Sequence, residues 1–147
     1  MIQVDFYILD IEAARDADNF ACRLTEKAYK GGHNIYLYTV DEPSAARLND
    51  RLWTFKQGSF LPHEIANSVP SSPHLPTPIV IGYGELQPLR CDTLINLTST
   101  VPPHHAQFQR IAEVIYADDA LKAAGRERFR FYKQQGYQVN SHTLSLT

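Results

Sequence analysis

The sequence predicts an α/β fold, a single three-layer domain with a mainly parallel sheet. Three observations carry this reading. Short β-rich runs alternate with helical patterns from residue 2 onward. The first run, the first helix and the second run are joined by a Gly-Gly stop, as in a βαβ unit. At 147 residues the chain has the length of one domain and can bury a real core.

Ile2–Leu9 starts as an alternating run and ends continuously apolar, as a strand entering a covered sheet does. Asp10 follows, placed to cap the next helix or to open its first turn. Glu12–Lys30 is helical by pattern, because Ala13, Ala17, Phe20, Ala21, Leu24 and Ala28 recur at spacings of three and four. Gly31-Gly32 ends that helix. Asn34–Thr39 is the second strand, and the helical crossover makes it parallel to the first. Asp41–Trp53 is a shorter helix capped by Asp41 or Ser44.

Most of Leu52–His63 then reads as surface loop, and Glu64–Thr77, with Pro70, Pro73 and Pro76, as irregular chain. Pro78–Gly82 is a third strand, Gly84-Glu85 a turn and Thr93–Leu97 a fourth strand. Val101-Pro102-Pro103 breaks the chain before one or two helical turns at His104–Phe108. Gln109–Tyr116 fits strand or helix; its short β-branched run, followed by new helix-start signals, favours a fifth strand. Asp118–Gln135 is the last helix, with Asp118 and Asp119 at the positive end of its dipole and Gly136 as its stop. Val139–Leu146 is a polar tail, either an edge strand or unpaired.

The formal net charge of −2 and a pI near 6.3 argue against broad, non-specific nucleic-acid binding. Cys22 and Cys91 stand far apart and outside any metal-type spacing, so they read as buried free thiols of a reducing compartment. No apolar run approaches the roughly 18–20 residues of a membrane span. The start Met-Ile-Gln-Val-Asp lacks the basic and apolar regions of a signal peptide, and a cytoplasmic location is expected.

The turn after the first strand, Leu9-Asp10-Ile11-Glu12, has no glycine and carries acids where a pyrophosphate would approach. The fold is therefore expected to be Rossmann-like without the glycine-rich nucleotide fingerprint. The histidines are scattered, and the adjacent pair His104-His105 would point in different directions on a helix. No cofactor, metal or catalytic set is expected. A nucleotide-dependent enzyme using the crevice at the strand ends stays open as an alternative. So does direct binding of single-stranded DNA by the last helix, which the overall acidity weakens.

Two stretches invite a binding role. Leu52–His63 holds Trp53, the lone tryptophan, with Phe55 and Phe60. Phe55 can fold back on the core, whereas Trp53 and Phe60 suit an apolar patch for a protein partner. On the last helix, Lys122, Arg126, Phe129 and Lys133 fall on one stripe, which can grip an acidic peptide with an apolar end. The bland alternative is a solvated basic face, to which Arg128 and Arg130 also belong.

Several ordered pieces resemble one family. They are Phe6-Tyr7-Ile8-Leu9-Asp10, Leu52-Trp53 followed by Ser59-Phe60-Leu61-Pro62-His63, and Asp92-Thr93-Leu94-Ile95-Asn96-Leu97. Asp118-Asp119-Ala120-Leu121-Lys122, Gly125-Arg126-Glu127-Arg128-Phe129 and the Tyr132…Gly136-Tyr137 ending complete the set. Together they resemble the chi subunits of the bacterial DNA polymerase III holoenzyme, and the spacing of Trp53 to Ser59–His63 is the most specific piece.

The resemblance implies a non-catalytic accessory protein of the clamp-loader complex. It would pair with the psi subunit and bind the acidic C-terminal tail of single-stranded DNA-binding protein. On this chain Arg126 would take the tail's terminal carboxylate, Lys122 its acids, and Ile115 with Phe129 its apolar end. Trp53, Phe60, Pro62 and His63 would serve psi or an alternative, helicase-like partner. Phe129 stands where the family can carry a tyrosine, which keeps the ring and removes a hydroxyl. The Pro-Ser-rich loop and the tail after Asn140 show little resemblance.

Overall fold

The structure is a computed structural model that describes residues 2–10, 14–55, 62–65, 78–84, 91–116 and 119–144. The strands are β1 (Gln3–Leu9), β2 (Ile35–Thr39), β3 (His63–Ile65), β4 (Ile79–Tyr83), β5 (Thr93–Asn96), β6 (Arg110–Ile115) and β7 (Gln138–Leu144). The helices are α1 (Ala14–Lys30), α2 (Glu42–Thr54) and α3 (Asp119–Gln134), with one 3₁₀ turn at His105–Gln107. The strands form one seven-stranded sheet in the order β3-β4-β2-β5-β6-β1-β7. Every pairing among them is parallel.

That order places the helices. Parallel crossovers are right-handed, so connections running in opposite directions along a sheet lie on opposite faces. From β1 to β2 and from β2 to β3 the chain moves one way; from β6 to β7 it moves the other. Accordingly α1 and α2 share one core with Leu9, Leu37, Ile81 and Val114. On the other face α3 packs with Val4, Phe6, Tyr36 and Ile111. The alternation of β1 is visible in this division: Val4 and Phe6 face α3, while Tyr7 and Leu9 face α1.

The second helix starts where its capping chemistry says it should. The Asp41 carboxylate accepts from the Ser44 amide at 3.0 Å, and Pro43 sits in the first turn. Gly31-Gly32 ends α1, with Gly32 at φ 86°.

Two open readings close, and one expectation changes. The run that fitted strand or helix is a strand, β6, whose Ile111–Ile115 are all buried. The polar tail is no loose end: β7 pairs along all of β1, and its polar pattern is that of an edge strand with exposed side chains. Within the segment read as irregular, Glu64 and Ile65 belong to β3, held by parallel pairing to β4 rather than by any pattern of their own. Glu12, Ala13, Phe60, Asp118, Ser145, Leu146 and the segment 66–77 lie outside the described residues.

One buried polar network fastens α3 to the sheet. Glu113 on β6 is fully buried. Its carboxylate accepts from Arg128 Nε at 3.0 Å and from Tyr132 Oη at 2.7 Å. Asn96 Nδ2 on β5 donates to both carboxylate oxygens, at 3.0 and 2.9 Å. Burial pushes the Glu113 carboxyl above its ordinary range, while the Arg128 charge and these hydrogen bonds pull it down. Arg128 is thus no part of a solvated basic face. It is 4% exposed, because Glu113 gives it an anion inside the core.

Candidate functional site

A groove of about 470 Å³ runs between α3 and the β1-β7 side of the sheet. That volume falls within the roughly 300–1,000 Å³ of small-ligand sites. Its floor is apolar: Phe6 and Ile8 from β1, Ile115 at the end of β6 and Phe129 from α3. Phe6 and Phe129 meet ring to ring with centroids 5.4 Å apart. Gly125 lets α3 lie close here, since a Cβ at that position would overlap Ile115 Cδ1. Lys122, Arg126 and Arg130 stand around the floor, and Ser141 of β7 closes one side.

The cations differ in what they are free to do. Arg130 Nη1 is bound to Glu127 at 3.0 Å on the exposed face. Lys133 sits over the Phe129 ring, 5.1 Å from its centroid, outside the groove. Among the described residues neither Lys122 nor Arg126 has an ion pair. The stripe read from the sequence therefore divides. Lys122, Arg126 and Phe129 line the groove, and Lys133 steadies the ring from outside. Ile115 lies where the reading put it, 4% exposed beneath them.

Sequence reasoning missed Phe6, Ile8 and Ser141. A signal existed for the first two, because the alternation of β1 puts residues 4, 6 and 8 on one face. Ser141 had none, since nothing in a polar tail says which strand it will join.

The second set gathers only in part. Trp53 lies near the end of α2, within the helical span expected for it, and is 50% exposed. Its ring is 4.6 Å from the ring of His63 on β3. Pro62 precedes His63 and is half-buried, while Phe60 falls outside the described residues. Phe55 folds back and packs half-buried against the α1-α2 core. Because β3 and β7 are the two edges of the sheet, the Trp53 patch and the groove lie at opposite edges.

The cysteines offer no chemistry. Burial pushes both Cys22 and Cys91 up to about 12, so neither thiol is a nucleophile near neutral pH. Among the described residues no three His, Cys, Asp or Glu side chains gather as a metal site. No helix among them is long and apolar enough to cross a membrane.

A family model described as "DNA polymerase III chi subunit, HolC" matches residues 1–140. The chain belongs to the DNA polymerase III chi subunit family. It is 37% identical over 144 residues to the DNA polymerase III subunit chi of Pseudomonas aeruginosa, covering 98% of each chain. To the chi subunit of Haemophilus influenzae it is 29% identical over 140 residues, covering 95% of each. To that of Escherichia coli it is 26% identical over 148 residues, covering 97% of this chain and 99% of the other. Among solved structures this chi-family chain resembles S. cerevisiae dbp5 bound to gle1 and ip6, with a TM-score of 0.57 and 12% identity. That likeness covers 96% of this chain and 42% of the other, and it concerns the α/β fold alone.

Proposed function

We propose that this chain is a non-catalytic accessory subunit of the DNA polymerase III clamp-loader complex. It links single-stranded DNA-binding protein, through that protein's acidic C-terminal tail, to the psi subunit and so to the clamp loader. Family membership supports the replication role. The observation that carries the tail reading is the combination of two cations without an ion pair among the described residues, Lys122 and Arg126, with an apolar floor of peptide-end size.

The chemistry divides by residue. Arg126 is exposed at the rim, where its planar fork donates two parallel hydrogen bonds to a terminal carboxylate. Lys122 attracts the acids upstream of that end as a point charge. Phe6, Ile8, Ile115 and Phe129 receive the apolar side chain. For psi, or for a helicase-like alternative partner, the half-exposed Trp53, its ring tilted against that of His63, supplies an aromatic anchor with Pro62 beside it, and Phe60 is assigned to the same partner from the family resemblance.

Calorimetric titration with a peptide of the tail's last residues tests the groove. The free acid is expected to bind with an affinity that falls as salt rises, and the amidated peptide is expected to bind far more weakly. Equal binding of the two forms overturns the reading.

A further inference from the structure

A second hollow, of about 220 Å³, opens at the carboxyl ends of β2, β5 and β6 and shares Ile115 with the groove. Its place in the topology is specific. The connection leaving β2 runs towards β4 and β3, while the one leaving β5 runs towards β6. Adjacent strands whose connections diverge open a crevice between them, and in open α/β sheets ligands bind there.

One buried donor beside this crevice lacks an acceptor among the described residues. Arg128 lines the crevice, and its Nη1 is buried with no hydrogen-bond partner among the described residues. Nothing in the Glu113 network can satisfy that nitrogen. Both Glu113 oxygens are already taken by Asn96, Tyr132 and Arg128 Nε. A buried guanidinium N–H without an acceptor costs its desolvation. Arg47 stands at the other side of the crevice, mostly exposed, with Nε on Asp18 at 3.2 Å. Among the described residues Asp18 is the one acid lining it, and that bond engages its carboxylate. Ser99 is exposed at the mouth with its hydroxyl available. The start of α2 is not the receptor, because Asp41 already caps it.

We infer that this crevice binds a small phosphate-type oxyanion between the Arg128 and Arg47 guanidinium groups, with Ser99 at its mouth. The size limits the ligand. The hollow is smaller than the roughly 300–1,000 Å³ of sites for whole drug-sized ligands. It takes inorganic phosphate, pyrophosphate or the phosphate end of a nucleotide, and the rest of a nucleotide would lie outside. The site asks for no glycine-rich turn, since side chains rather than backbone amides do the holding. It is independent of the proposed tail capture.

The test is calorimetric titration of the full chain with inorganic phosphate, pyrophosphate and adenosine monophosphate in a phosphate-free buffer. Saturable one-to-one binding is expected. Tighter binding of adenosine monophosphate than of phosphate points to a nucleotide as source; equal or weaker binding points to the free ion. Arg128→Met can unfold the protein by stranding Glu113, so the deciding variant is Ser99→Glu, which sets a negative charge at an exposed position. It is expected to weaken the anion by about tenfold or more while leaving the circular dichroism spectrum and tail-peptide binding unchanged. Absence of binding by all three anions, or binding untouched by Ser99→Glu, overturns the site. Binding lost in Arg126→Ala but kept in Ser99→Glu also overturns it, because the ion would then sit in the groove.

Discussion

The groove beside α3 and the Trp53 patch occupy opposite edges of one sheet, and they are built differently. The groove is concave, and four elements converge on it: β1, β6, α3 and β7. Its apolar floor lies beside two cations at the rim, so a ligand seated there meets apolar surface and charge together. The patch has one aromatic ring on the last turn of a helix, leaning on a histidine of a three-residue edge strand. Such a surface works by area and shape. In the proposed function the groove reads a chain end, and the patch takes a face of a folded partner. Two bindings with different physics can then be lost separately.

The largest effect comes from the foundation of the groove. Glu113→Ala strands a buried Arg128 and removes partners from Asn96 and Tyr132. A loss of about 3–5 kcal/mol in urea unfolding is expected. A loss under about 1 kcal/mol would break the contrast, because α3 would then be held by apolar packing as the patch is.

Arg126→Ala sharpens the same contrast from the ligand side. It is expected to cost the tail peptide about 2 kcal/mol or more in calorimetry, with the melting temperature unchanged. Capture of psi should not change.

Trp53→Ala is the mirror experiment. Co-purification with psi is expected to fail, while tail affinity holds and stability moves by no more than about 1 kcal/mol. Equal loss of both bindings with a clear fall in melting temperature would make Trp53 a core residue and erase the distinction between the edges.

The smallest effect is a shared background on both faces of the sheet. The folded thiols of Cys22 and Cys91 are raised from 9.0 to about 12. Raised groups favour the protonated fold, so their contribution is intact below pH 9 and is lost as pH climbs towards 12. Stability should decline over that window, and the Cys22→Ala, Cys91→Ala double variant should decline less steeply. Parallel curves would show that other groups govern the alkaline limb.

The parts of this molecule that were legible in its sequence share a physical trait: one-sided burial. The alternation of β1, the three-four spacing of α1 and the stripe Lys122-Arg126-Phe129 all record a face against a core or a groove. β3 was hidden and β7 was left open between edge strand and unpaired chain, because pairing at a sheet edge is fixed by the neighbouring strand, not by the residues that join it. Arg128 was misplaced with the surface cations because its partner, Glu113, stands 15 positions earlier on another element. The groove was half visible for the same reason. Its helix side was written in one stretch, whereas Phe6, Ile8 and Ser141 come from the two ends of the described chain.

That last fact bears on when the protein becomes competent. The walls of the groove run from residue 6 to residue 141, and β7 docks on β1, the strand made first. A nascent chain emerging from the ribosome can assemble β2, β4 and the α2 surface with Trp53 well before this edge closes. The proposed recognition of a peptide end would therefore mature late in synthesis, and a product cut short before β7 would display the aromatic surface without the completed groove.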